Sequence, residues 1–233
     1  MADLTARYHR QILLPELGEE GHEKLRKARV LIVGVGGLGS PIALYLTGAG
    51  IGTIGLLDDD VVSVTNLHRQ VLYSESEVGQ SKAECAARRL SSLNGEVRLI
   101  PHVSRLTEDN AAEIISQYDL VVDGCDNFAT RYVIDEVCRA QRKPYVYGSI
   151  EGLDGQVSVF GAGDHPRYYT DLYPRSETYD YQPSKAVLGT TPAVVGSVEA
   201  NQVLQLVGGF GEPLVNKLWS IDLRSMNSFI VNI

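Results

Sequence analysis

The chain predicts an α/β fold, a Rossmann-like, mostly parallel sheet flanked by helices, with an antiparallel C-terminal extension. Three observations lead there. A β-branched run, Val30-Leu31-Ile32-Val33, feeds a glycine loop, Gly34-Val35-Gly36-Gly37-Leu38-Gly39, which opens a helical segment. Short apolar strand patterns then alternate with helical ones as far as Ser149, as βαβ units of a parallel sheet do. From Gly155 the pattern changes to apolar–polar alternation in Gln156-Val157-Ser158-Val159-Phe160, as in a half-buried antiparallel strand.

In chain order, Arg7 to Leu25 reads as one helix with Ile12, Leu13, Leu14 and Leu17 on one side. A strand at Arg29–Val33, a helix from Leu38 to Ala49 and a strand at Thr53–Asp58 follow. After a long loop come a helix from Lys82 to Leu93 and a strand at Val97–Val103. A helix near Glu108–Gln117, a strand at Leu120–Asp123, a helix near Ala129–Gln141 and a strand at Tyr145–Ser149 complete the repeating part. Lys217–Ile221 and Ser228–Val231 form a closing hairpin, preceded by a helix from Pro192 to Val207. Gly161 to Ala186 shows no periodicity and holds five of the chain's twelve tyrosines. Unstructured connections of that length are uncommon in compact domains, so a mobile crossover loop is expected there. One domain is expected over 1–233: an N-terminal helical arm (1–28), a nucleotide-binding part (29–150), and a C-terminal part (151–233) of crossover loop, antiparallel strands and helix.

Composition narrows the function. At 44% hydrophobic residues the chain is ordinary for a globular protein, and no apolar run approaches a membrane span. The N-terminus lacks a basic-then-apolar signal pattern. Cys85, Cys125 and Cys138 have no paired spacing, so neither a disulfide frame nor a four-cysteine zinc site is expected. A reducing cytoplasm suits such a chain. The net charge of −8 argues against non-specific binding to nucleic acid or anionic membrane.

The residues past the glycine loop carry the chemistry. Glycines at a strand–helix junction bring backbone N–H groups against phosphate, and Asp58, at the end of the next strand, is placed to hold a ribose. That alone says only that a nucleotide binds, and an NAD-dependent oxidoreductase shares it. Asn66, Arg69 and Lys82 suit a polyanion such as triphosphate. Asp126, just past the strand at Leu120–Asp123, projects at the same sheet edge, and a carboxylate beside cations makes sense if it holds magnesium. Asp59 and Asp60 are alternatives for a further contact to metal or ribose, and Asp60 is taken as a nucleotide contact. No Gly-x-x-x-x-Gly-Lys-Ser/Thr loop exists, which excludes a P-loop phosphotransferase. No His–carboxylate base is evident, and a nucleophile already ionised at pH 7 needs none. A substrate carboxylate attacking the α-phosphate of ATP fits that economy.

Six ordered motifs resemble the ThiF/MoeB/HesA family, bacterial relatives of ubiquitin-activating enzyme. They are Tyr8-His9-Arg10-Gln11-Ile12-Leu13-Leu14, the Gly34–Gly39 loop, Asp58-Asp59-Asp60, Asn66-Leu67-His68-Arg69-Gln70, Val78-Gly79-Gln80-Ser81-Lys82 and Asp123-Gly124-Cys125-Asp126-Asn127. The segment Pro192 to Ala200 extends the likeness. The resemblance implies a homodimer that uses ATP and magnesium to adenylate the C-terminal glycine of a ubiquitin-like sulfur carrier ending in Gly-Gly. It implies that Gly34, Gly36, Gly37 and Gly39 line the nucleotide and that Asp58 holds the ribose. Asn66, Arg69 and Lys82 would contact phosphates, Asp126 would hold magnesium, and Arg10 would reach the partner subunit's ATP site. Two departures stand out. Tyr168 and Asp171 occupy the place of the family's first zinc Cys-x-x-Cys pair, and no second pair follows, so zinc is not expected. Gln182 or a neighbour stands where many members carry a crossover-loop cysteine. A non-catalytic carrier-binding module is the third reading this leaves, beside the adenylyltransferase and the NAD-dependent oxidoreductase.

Overall fold

The computed structural model describes residues 4–178, 184 and 186–233. Its order is α1 (Leu4–Ile12), α2 (Gly18–Lys27), β1 (Arg29–Val33), α3 (Gly39–Ala49), β2 (Thr53–Leu57), α4 (Lys82–Leu93), β3 (Arg98–His102), α5 (Glu108–Ser116), β4 (Leu120–Asp123), α6 (Phe128–Gln141), β5 (Tyr145–Glu151), β6 (Asp154–Phe160), α7 (Tyr169–Leu172), α8 (Arg175–Thr178), α9 (Thr190–Gly208), β7 (Lys217–Asp222) and β8 (Asn227–Asn232). The strands form one eight-stranded sheet in the order β3-β2-β1-β4-β5-β6-β7-β8. β3 through β5 run parallel, and β6, β7 and β8 add on antiparallel. The predicted fold class is the one observed.

β1 is apolar from Val30 to Val33 because both faces of the sheet are covered there. Val30 and Ile32 enter the core cluster that α3 and α9 close, while Leu31 and Val33 enter a second cluster lined by α5 and α6 residues. The chain leaves β1 for β2 on one side and places β4 on the other. That reversal opens a crevice at the C-terminal ends of β1 and β4, where Val33 pairs with Asp123.

Two expectations are corrected. The arm is two helices, because Pro15 disfavours helical backbone at Leu14 and ends the first. Leu13 and Leu14 fall in the connection and are exposed, whereas Leu17 is buried. The tyrosine-rich crossover is also ordered as far as Thr178. Tyr169 is fully buried, and its ring meets those of Tyr132, Tyr145, Tyr147, Phe160 and Tyr173 at 5.1–6.4 Å between centroids. The Asp135 carboxylate fixes the start of α7 by accepting from the Tyr169 N–H (2.8 Å) and the Thr170 hydroxyl (2.9 Å). Sequence periodicity misses this because the helices are each a single turn. Tyr179, Tyr181 and Gln182 lie outside the described residues.

Candidate functional site

The site grows from the end of β1. Gly34 has φ +86°, a left-handed conformation that glycine adopts without penalty, and its N–H donates to the Leu57 carbonyl at 2.7 Å. A Cβ on Gly39 would lie 2.0 Å from the Gly34 carbonyl oxygen, so the loop folds flat only because position 39 has no side chain. α3 then begins with no side-chain cap; the Ser40 N–H donates to the Gly36 carbonyl at 3.0 Å and Pro41 has no N–H, so the donors an anion would meet here are those of the glycine loop that leads into the helix.

Four predicted residues gather on this loop. The buried Asp58 carboxylate accepts from the Val35 N–H and the Asp60 N–H, each at 2.9 Å. It therefore staples the glycine loop to β2 as well as facing the crevice. Burial holds its pKa above the usual carboxylate value, and the two N–H donors work against that rise. Arg69 runs its aliphatic stem beside Gly37, and its guanidinium donates to the Thr65 carbonyl at 3.1 Å. The Lys82 ammonium, on an otherwise buried side chain, pairs at 2.9 Å with the exposed Asp60 carboxylate. Asp60 thus holds Lys82 beside Asp58. The Asn66 carbonyl accepts from the Arg69 and Gln70 N–H groups and so shapes the turn that delivers Arg69.

Asp126 leaves the neighbouring strand. The Gly124 N–H donates to the Val33 carbonyl at 2.7 Å, so the turn after β4 lies directly against the glycine loop. Asp126 is exposed there, beyond a dense buried network. Asp123 is fully buried and accepts from the Cys125 N–H, the Cys125 thiol, the Arg131 Nε and the Tyr145 hydroxyl, at 2.8–2.9 Å. Burial pushes the Cys125 thiol up, aided by the Asp123 charge, so it stays protonated and packs. Beneath the network lies Glu199 on α9, whose two carboxyl oxygens meet no donor among the described residues. Burial raises its pKa well above the ordinary range. Buried Asp123, Arg131 and Glu199 were not singled out from sequence, although an acid in the apolar stretch Val198-Glu199-Ala200 is a readable signal.

Arg10 is not brought to this site. It is exposed on α1, and α1 is pinned at the opposite edge of the sheet. There the Tyr8 ring occupies the space a side chain on Gly50 would fill, its hydroxyl accepts from the Asn94 amide at 2.8 Å, and the Gln11 amide donates to the Ala49 carbonyl at 3.0 Å. Gly50 precedes β2, whereas the glycine loop follows β1 in a parallel pair, so a strand's length separates them. Among the described residues no group of three or more His, Cys, Asp or Glu could hold a metal ion. Magnesium that arrives with phosphate oxygens needs only one or two carboxylates, and Asp126 and Asp60 are exposed at this edge.

The sequence profile of the ThiF family matches residues 8–233. The chain is 46% identical over 223 residues to a sulfur carrier protein adenylyltransferase of Thermus thermophilus, covering 93% of this chain and 82% of that one. It is 43% identical over 232 residues to the probable adenylyltransferase/sulfurtransferase MoeZ of Mycobacterium tuberculosis, covering 96% of this chain but only 58% of that one. The structure of E. coli MccB with ATP superposes with a TM-score of 0.83 at 26% identity, over 97% of this chain and 71% of that one.

Proposed function

Because the chain belongs to the ThiF family, we propose that it is an ATP-dependent adenylyltransferase that activates the C-terminal glycine carboxylate of a ubiquitin-like sulfur carrier. The relative from Thermus thermophilus is named for that activity. The observation that carries the reading is the convergence of Asp58, Arg69, Lys82 and Asp60 on the Gly34–Gly39 loop, with Asp126 on the adjoining turn. A dehydrogenase has no general use for that cationic set, and a mere docking module has no use for a nucleotide loop this tightly built.

The residues divide the work. Backbone N–H groups of the glycine loop take the phosphates at the start of α3, and Asp58 takes the ribose hydroxyls with lone pairs left over from Val35 and Asp60. Lys82 and Arg69 neutralise the charge that builds as a carrier carboxylate oxygen bonds to the α-phosphorus and the bond to pyrophosphate breaks. The carboxylate attacks as the anion it already is, so no base is required. Asp126 would hold magnesium, which when bound screens the phosphate charges. The products are carrier acyl-adenylate and pyrophosphate. The same reading has the protein work as a homodimer in the cytoplasm, with Arg10 serving the partner's site and no structural zinc.

ATP–pyrophosphate exchange tests it. Exchange is expected only with a carrier ending in Gly-Gly, and Asp126→Ala is expected to lower it by about 10²-fold or more. Nicotinamide dinucleotide rather than ATP retained by the purified protein, with no exchange, would sink the assignment.

A further inference from the structure

The Asp126 carboxylate is exposed on a turn, yet the peptide that carries it is gripped from below. Arg131, on the first turns of α6, has a side chain only 7% exposed. Its Nε donates to the Asp123 carboxylate at 2.9 Å. Its Nη2 donates to the Cys125 carbonyl and to the Gly148 carbonyl of β5, each at 3.1 Å. The guanidinium lies 5.4 Å from the Tyr147 ring centroid and 5.9 Å from that of Phe128, which keep its plane in place. Asp123, which Arg131 neutralises, itself accepts from the Cys125 N–H at 2.9 Å. Both faces of the Cys125 backbone are therefore held: its N–H by Asp123, its C=O by Arg131. That C=O belongs to the peptide bond leading into Asp126. On the far side, Asn127 is clamped as N-cap of α6 by the Thr130 N–H at 2.9 Å.

We propose that Arg131 is a positioning residue for adenylation, a buried guanidinium clamp that ties the Cys125–Asp126 peptide to β4 and β5 and so fixes where the Asp126 carboxylate stands over the glycine loop. It rests on the reading that Asp126 serves the nucleotide. The planar fork matters. One side chain reaches a carboxylate on β4, a carbonyl on the turn after it and a carbonyl on β5, which a lysine's single ammonium cannot reproduce. A site carboxylate on a turn is only as well placed as its support, and the loss of such supporting contacts is felt mainly in the reaction.

The test uses Arg131→Lys, which keeps a cation beside buried Asp123 and so avoids stranding that charge. Exchange kcat is expected to fall by about 10–100-fold. In an Asp126→Asn background the same replacement is expected to cost no more than about twofold, since it acts through Asp126. Without nucleotide, amide hydrogen exchange at Gly124–Asn127 is expected to quicken by about tenfold or more in Arg131→Lys, with β1 and β4 unchanged. Equal losses in the two backgrounds, or an unaltered exchange rate at 124–127, would overturn the proposal. A wild-type protein with no pyrophosphate exchange would count against the proposed activity instead. The nucleotide-free amide measurement would still decide whether Arg131 holds the turn.

Discussion

Replacing Glu199 with glutamine tests whether the core carries a neutral acid. Glu199 is fully buried, and its carboxyl oxygens have no donor among the described residues. The nearby cation, Arg131, spends Nε on Asp123 and Nη2 on two carbonyls. Ionising Glu199 would put a second anion beside Asp123, at a cost of several kcal/mol for an uncompensated buried charge. Burial, and next the Asp123 charge, lift its pKa well above the usual 4.5. The folded protein therefore keeps a proton that the unfolded chain releases. The stability tied to that proton is fully present below pH 4.5 and declines as pH rises, until the folded pKa is passed. The slope is about 1.4 kcal/mol per pH unit above pH 4.5 for as long as the folded protein keeps that one proton. Glu199→Gln removes this slope. Absolute stability is not diagnostic, because the amide buries two N–H donors of its own. Asp58 and Asp135, also raised by burial, add the same slope to both proteins and cancel in the difference. Urea unfolding across that pH range measures it. Superimposable slopes for wild type and variant would refute the reasoning and make Glu199 an ionised partner of Arg131.

Gly39→Ala puts a methyl 2.0 Å from the Gly34 carbonyl oxygen, and is expected to lose about 1–3 kcal/mol and ATP retention, read by thermal unfolding with and without nucleotide. Gly48→Ala, on the same helix with nothing within 4 Å, is the contrasting case and is expected to gain about 0.5–1 kcal/mol. Tyr169→Phe removes a buried hydroxyl that has no partner among the described residues, and is expected to be neutral or slightly stabilising in urea unfolding; a loss above about 2 kcal/mol would reveal a missed bond. Chains carrying Arg10→Ala and Asp126→Ala, each inactive as a homodimer, are expected to regain about half of wild-type exchange per mixed dimer, because one site then carries both lesions and the other neither. No recovery despite proven subunit exchange would remove Arg10 from the partner's site.

The fold was legible in the chain because its signals are local. From Val30 to Val33 β1 is a continuous apolar run, as a strand covered on both faces must be, and Gly34 to Gly39 sits where strand turns to helix. The Pro15 break was local too, but a helical pattern running across it masked the turn. The order of Asp58, Asn66, Arg69, Lys82 and Asp126 along the chain was enough to nominate a nucleotide site. Tertiary structure decided what stands behind those residues. Asp58 staples the loop at Val35, Asp60 holds Lys82, and the Asn66 carbonyl closes the turn before Arg69. The first two have no sequence spacing, since each joins segments that meet only when the chain folds, whereas the Asn66 carbonyl makes a local turn to Arg69 and Gln70. Arg131 shows it most plainly. On sequence it is one more arginine on a helix, and only the packing of β4, β5 and α6 turns it inward, where a buried cation must find its anion and its carbonyls.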